Sequence, residues 1–155
     1  MQMYICKMNI NPFSSEFFMQ QAYNEAKKAF EKDEVPVGAV IVCDNQIIAR
    51  AHNLTEQLND ATAHAEMLAF TSAADFLGSK YLSECTLYVT LEPCFMCAAA
   101  SYWTHLKAIV FAASDKKKGF TSLKKNFLHP KTKIDYGIME YECSKLLSDF
   151  FKKKR

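Results

Sequence analysis

Between Ser14 and Lys32 apolar residues recur at helical spacing, with Phe18, Ala22, Ala26, Ala29 and Phe30 on one stripe. Ser14 and Ser15 stand at its start as capping residues. The period then changes. Pro36 and Gly38 introduce a β-branched run, Val37–Cys43; Asp44-Asn45 is a turn signal, and Gln46–Ala51 reads as the returning strand of a hairpin. After a polar loop, Asn53–Asp60, helical spacing returns over Ala63–Leu77, with Ala65, Leu68, Ala69, Ser72, Ala73 and Phe76 as the expected inward face and Gly78 as its stop. Thr86–Leu91 is a short β-branched and aromatic strand. Pro93 follows at the favoured first turn of a third helix, Cys94–Thr104, and Ala108–Ala112 is the next strand. Ser114–Lys133 is polar and lysine-rich, which predicts a long loop with a short helical piece. Ile134–Ile138 predicts a final strand, and a last helix starts near Glu140 with Cys143, Leu146, Leu147 and Phe150 on one side. Strands alternating with helices predict an α/β sandwich, with helices on both faces of one sheet.

The length, 155 residues, suits one domain spanning residues 1–155, and half of the residues are hydrophobic. No stretch approaches the ~20 apolar residues of a membrane span. The first dozen residues lack the continuous apolar core of a signal peptide, so the cytoplasm is the expected location and no membrane is expected as a partner. In a reducing compartment, cysteines serve as thiols or metal ligands rather than disulfides. Cys6, Cys43, Cys85 and Cys143 sit in apolar or helix-like contexts and read as small buried hydrophobes. Charge is unevenly divided: residues 1–114 carry 7 Lys+Arg and 12 Asp+Glu, whereas residues 115–155 carry 12 and 5. A basic C-terminal third suits nucleic acid and equally suits a solvated lysine surface, so charge alone decides nothing.

The remaining two cysteines change the picture. His64-Ala65-Glu66 stands at the start of the second predicted helix, and Pro93-Cys94-Phe95-Met96-Cys97 at the start of the third. Zinc takes Cys and His ligands, and a catalytic site keeps a fourth position for water. Cys94 and Cys97 have the spacing to reach one ion, and a helix N-terminus favours the thiolates it needs. His64 supplies a third ligand. Glu66 lies about 200° round a helix from His64 and shares the site only if the ion sits beyond the helix end. Both helices are therefore expected to aim their N-termini at one ion, with Glu66 as an unligated carboxylate that moves protons. A zinc finger lacks its second cysteine pair here, and a thioredoxin-like pair would leave His64 and Glu66 without a role. His52, His105 and His129 are isolated in sequence and read as surface or packing residues, and Tyr102 and Trp103 as core or interface.

His-x-Glu followed by Pro-Cys-x-x-Cys is the signature of zinc nucleobase deaminases. Together with Glu34-Val35-Pro36-Val37-Gly38, Thr62-Ala63-His64-Ala65-Glu66, Thr86–Cys94 and Leu146-Leu147-Ser148-Asp149-Phe150-Phe151, it resembles the bacterial tRNA adenosine deaminases over residues 14–155. The resemblance implies a three-layer α/β/α sandwich of the cytidine deaminase-like type, built on a mixed five-stranded sheet. It implies one zinc ion per chain, a homodimer, and conversion of adenosine to inosine at the wobble position of a tRNA anticodon loop. It further implies that Asn53 bonds the flipped-out purine, that Asp115 lies near the neighbouring nucleotides, and that Phe151 in the basic-aromatic tail, residues 150–155, helps grip the RNA. The chain departs from the family pattern at Ser114, at Ala99 and in the loop 116–122, which lacks a second glycine. Two other readings remain: deamination of a free base or nucleoside such as guanine or cytosine, and a non-catalytic zinc-stabilised RNA-binding subunit, with a redox protein more remote.

Overall fold

The computed structural model describes residues 13–155. Ser14 Oγ accepts the Phe17 N–H at 3.1 Å and starts α1 (Ser15–Glu31), which buries Phe18, Met19, Ala22, Ala26 and Ala29. Phe30, expected on the same stripe, is half-buried. The hairpin β1 (Gly38–Cys43) and β2 (Gln46–His52) turns through Asp44 and Asn45, both at positive φ. Positive φ at both turn residues is what a tight hairpin requires and what Asp and Asn tolerate. Then come α2 (Ala65–Leu77), β3 (Cys85–Leu91), α3 (Phe95–Thr104), β4 (Ala108–Ala113), β5 (Lys133–Tyr136) and α4 (Glu140–Lys153), with a single 3-10 turn, Phe120–Ser122, in the long loop.

The strands form one sheet in the order β2-β1-β3-β4-β5. β1 is antiparallel to both β2 and β3, whereas β3, β4 and β5 run parallel, so the sheet is mixed as expected. Alternate residues point to opposite faces. Val40, Val42, Tyr88, Val110 and Ala112 meet Phe18, Met19 and Ala22 of α1 and Cys143 of α4. Ile41, Leu87, Val89, Ile109 and Phe111 meet Ala65, Ala69, Phe70 and Ala73 of α2 and Ala98 of α3. These two cores are the layers of an α/β/α sandwich.

Three expectations need correction. The buried face of α2 is Ala65, Glu66, Ala69, Phe70 and Ala73; Ser72 is exposed, Phe76 is 61 % exposed, and Leu68 is half-buried. Apolar side chains lie on several sides of this helix, so spacing alone could not choose between Phe70 and Phe76. The last strand runs Lys133–Tyr136; it ends earlier than expected because Gly137 at φ 101° and Met139 at φ 60° break the extended backbone. Pro93 lies outside α3, immediately before its N-cap Cys94, rather than in its first turn. Of the two roles expected for Tyr102 and Trp103, core is excluded by their exposure, 74 % for Trp103, and interface is left. Cys85 and Cys143 are buried and Cys43 half-buried, while Cys6 lies outside the described residues.

Candidate active site

β3 and β4 are parallel, so the chain leaves both at the same end of the sheet. Open α/β sheets bind ligands at that carboxyl end. β3 delivers Glu92, Pro93 and Cys94; β4 delivers Ser114 and Asp115. His64 is the N-cap of α2 (φ −71°, ψ 151°) and Cys94 the N-cap of α3 (φ −69°, ψ 169°), so both helices open on the same point. An N-cap residue lies outside the helical turn, which removes the difficulty posed by the 200° between His64 and Glu66. His64 Nδ1 lies 3.7 Å from Cys94 Sγ and 3.6 Å from Cys97 Sγ, and the three donor atoms lie within 4.8 Å of one another. Tetrahedral zinc with ordinary Zn–S and Zn–N bonds would hold its sulfur and nitrogen ligands about 3.6 Å apart. The donor set and its spacing therefore fit that ion.

The electrostatics suit a cation. Cys94 is lowered to about 4, chiefly by the hydrogen bond from Cys97, helped by His64 and the Cys97 backbone N–H and opposed by burial. His64 is raised, first by its hydrogen bond to Cys94, with Glu66 adding to it. Cys97 moves up, because it shares its proton with Cys94 and is buried beside Glu66. Glu66 is 4 % exposed; burial pushes its carboxyl up to about 7, against the pull of His64 and of the hydrogen bond with Cys97. A carboxyl near neutrality is suited to taking up and releasing protons.

A cleft of about 900 Å³ opens over these groups. Val37, Asn53, His64, Glu66 and Cys94 line it, Asp115 and Lys116–Lys118 form one wall, and Phe151, Lys152 and Arg155 of the tail form another. Six of the seven residues singled out in the sequence line this cleft, and the seventh, Cys97, lies buried beneath it with its Sγ 3.6 Å from His64 Nδ1. Asn53 has a second task there: its Oδ1 accepts the N–H of Ala65 at 2.8 Å, capping α2 from outside while the His64 ring faces the thiols. Asp115 is partly committed to its own loop, where Oδ1 accepts the N–H groups of Lys117 and Lys118. Phe151 is 48 % exposed at the cleft, whereas its neighbour Phe150 is buried against Phe30.

Two buried carboxylates escaped the motif reading. Glu34, 0 % exposed, accepts the N–H groups of Glu56 and Gln57 and the hydroxyl of Thr55. Glu92, 3 % exposed, accepts the N–H groups of Asp115 and Thr121 and the Thr121 hydroxyl. The available signal was an acidic residue set in an apolar segment close to a proline, at Glu34-Val35-Pro36 and Glu92-Pro93. The remaining histidines are not isolated in space: His52 pairs with Glu25 at 2.9 Å, and the His105 and His129 rings lie 4.7 Å apart.

The MafB19-like deaminase family matches residues 13–155. A tRNA-specific adenosine deaminase from Aquifex aeolicus is 50 % identical over 145 residues, covering 90 % of this chain and 95 % of the relative. The chain belongs to the tRNA-specific adenosine deaminase family. A solved tRNA:A34 deaminase superposes with a TM-score of 0.79 at 41 % identity, covering 84 % of this chain and 98 % of that one. A guanine deaminase from Bacillus subtilis, also 41 % identical, matches 65 % of each chain with a TM-score of 0.63. At equal identity, the tRNA:A34 deaminase thus superposes on more of this chain than the Bacillus subtilis guanine deaminase does.

Proposed function

We propose that the chain is a zinc-dependent hydrolytic deaminase that converts adenosine to inosine at the wobble position of tRNA. The observation that carries this reading is the pairing of three donors at zinc spacing with a buried carboxylate, Glu66, outside the donor set. His64, Cys94 and Cys97 would hold one zinc ion, which when bound supplies a Lewis acid that makes water a nucleophile near neutral pH. Glu66 takes a proton from the attacking water and gives it to the ring nitrogen of adenine. The oxygen adds to the carbon bearing the amino group. Glu66 then moves the second proton, from the added hydroxyl, to the amino nitrogen, and ammonia leaves as the carbonyl of inosine forms. Burial serves this shuttle, because Glu66 exchanges protons with the reacting groups rather than with bulk water.

Asn53 orients the purine. With its oxygen held by Ala65, its amide nitrogen remains as the donor to a ring acceptor. A base in this cleft must leave its stack, and a splayed anticodon loop presents it at lower cost than a duplex. Lys116–Lys118, Lys152 and Arg155 offer cations to the flanking phosphates, and Phe151 a face for a neighbouring base. A free base would use none of these groups, so the cleft favours RNA. The reading includes a cytoplasmic homodimer: α2 and α3 pack together and leave Phe76, Phe95, Tyr102 and Trp103 exposed, an apolar surface that a second copy would cover.

The experiment is inosine formation in a transcribed tRNA whose anticodon begins with adenosine, with free guanine, cytosine and adenosine as competitors. Inosine at the wobble position with wild type and none with Glu66→Ala is the expected result. Turnover of a free base alone would overturn the tRNA substrate. Undiminished activity of Glu66→Ala would overturn the mechanism, and turnover of nothing would promote a binding role.

A further inference from the structure

Neither the donor set nor the proton transfers use Glu92. Its backbone N–H bonds to Ala113 O at 2.8 Å at the end of β4, and its side chain reaches the other way into the long loop. Oε1 accepts the Asp115 N–H at 3.3 Å; Oε2 accepts the Thr121 N–H at 3.0 Å and the Thr121 Oγ1 hydroxyl at 2.9 Å. One carboxylate thus holds both ends of the segment that carries Lys116, Lys117 and Lys118. Gly119 lies against it so closely that an added Cβ would sit 1.9 Å from Oε2 and 2.5 Å from the Asp115 carbonyl oxygen. The same segment is tied to the start of α3: Gly119 bridges to Cys94, and Phe120 N–H donates to Pro93 O at 3.0 Å. Phe120 is buried against Phe111 and seats one end of the segment. Lys116–Lys118 are exposed and have no core of their own, so the shape of the lysine stretch depends on these anchors.

We propose that Glu92 is a positioning residue: it fixes the lysine loop 115–121 against the start of the cysteine helix and so sets how tightly the cleft grips the phosphates of its RNA. The grip on RNA rests on the proposed tRNA substrate; the anchoring of the loop does not. Glu92→Gln keeps the volume but turns an NH₂ group towards one of the two backbone donors, so one bond is replaced by a clash of donors. Gly119→Ala should reach the same state by another route, by forcing the carboxylate off the loop.

The test is binding of a fluorescent RNA hairpin carrying an adenosine-initiated anticodon, measured by anisotropy in a Glu66→Ala background, alongside zinc content and hydrogen exchange of residues 115–121. Glu92→Gln and Gly119→Ala are each expected to weaken hairpin binding about tenfold, to speed exchange over 115–121, and to keep full zinc. Combined with alanine at positions 116, 117 and 118, Glu92→Gln is expected to cause no further loss, because it acts through those lysines. Unchanged binding, loss of zinc, or a loss that persists in the lysine-free protein would overturn the proposal. If wild type fails to bind the hairpin, the tRNA substrate is refuted and exchange alone decides: faster exchange in Glu92→Gln supports the anchoring, and unchanged exchange overturns it.

Discussion

Replacing Gly38 with alanine tests the seat of α1 on the sheet, because no side chain separates the two there. A Cβ at position 38 would lie 2.0 Å from the Ala22 carbonyl oxygen, 2.4 Å from the Ala26 nitrogen and 2.9 Å from the Glu25 Cβ. The first two belong to helix backbone, so no rotamer change relieves them. Restoring contact at ~3.5 Å lifts the helix by about 1.5 Å, and a gap of ~0.5–1 Å already forfeits a quarter to a half of a dispersion contact. The contacts at risk join Phe18, Met19 and Ala22 to Val40, Val42 and Tyr88. Overpacking costs ~1–3 kcal/mol in general, and two clashes with backbone put this site at about 3 kcal/mol. The lower entropy of the unfolded alanine chain offsets about 0.4–1 kcal/mol. At ~2–4 °C per kcal/mol for a chain of this length, the net loss of about 2–2.6 kcal/mol lowers Tm by about 4–10 °C.

Urea unfolding and thermal melts of wild type, Gly38→Ala and Gly78→Ala in one zinc-containing buffer separate packing from backbone strain. Gly78 sits at φ 62° with no atom within 4 Å of its would-be Cβ, so alanine there costs only the left-handed backbone, about 1 kcal/mol. Gly38→Ala is expected to lose clearly more than Gly78→Ala with an unchanged m-value. A Gly38→Ala protein within about 0.5 kcal/mol of wild type, the ordinary range of a neutral surface change, would refute the direct contact between α1 and β1.

Cys97→Ser is expected to lower zinc content at equal zinc supply and to reduce Tm, read by metal analysis and melting; full zinc retention would argue against its ligand role. Glu25 is buried, and burial alone would raise its pKa, but Lys28 and His52 outweigh burial and hold it below its ordinary value. Its stabilisation is therefore present above the unfolded pKa and lost as pH falls through the folded one. The gap in urea midpoint between wild type and Glu25→Gln should narrow from pH 7 to pH 3, and a constant gap would refute this sign. Removing residues 151–155 is expected to weaken tRNA deamination while leaving the Tm within a few degrees. The cut belongs after Phe150, because that ring is buried against Phe30; an unchanged rate on tRNA would dismiss the tail as a contact.

The order of elements was legible because period and punctuation agree at most boundaries. Asp44-Asn45 and Gly78 mark a turn and a helix end because they tolerate positive φ, and Pro93 marks the break before α3, outside the first turn where it was expected. The candidate metal donors were legible for a similar reason. Cys94 and Cys97 are close in sequence, and His64 with Glu66 forms a second short unit, so each half needs only one helix start to be placed. What sequence could not supply is which side of an alanine-rich helix faces inward, as Phe70 and Phe76 illustrate, because that depends on the sheet beneath it.

The anchors were illegible for a different reason. A metal ligand or proton carrier must be of a particular chemical type, so its identity alone raises the question of function. Glu34 and Glu92 act by accepting N–H and hydroxyl groups from residues 21 to 29 positions later, and nothing in a glutamate reveals such a partner. Yet the two occupy equivalent situations. Glu34 holds the loop that leads from Asn53 towards His64, and Glu92 holds the loop that leads from β4 past Asp115. Each lies a step or two before a proline, which fixes the chain direction where a strand begins or a helix starts. A carboxylate suits both places because it accepts several backbone donors at once, where a neutral amide would turn a donor against one of them. The cleft is thus framed by two loops, each tied down by a buried glutamate that accepts its backbone N–H groups.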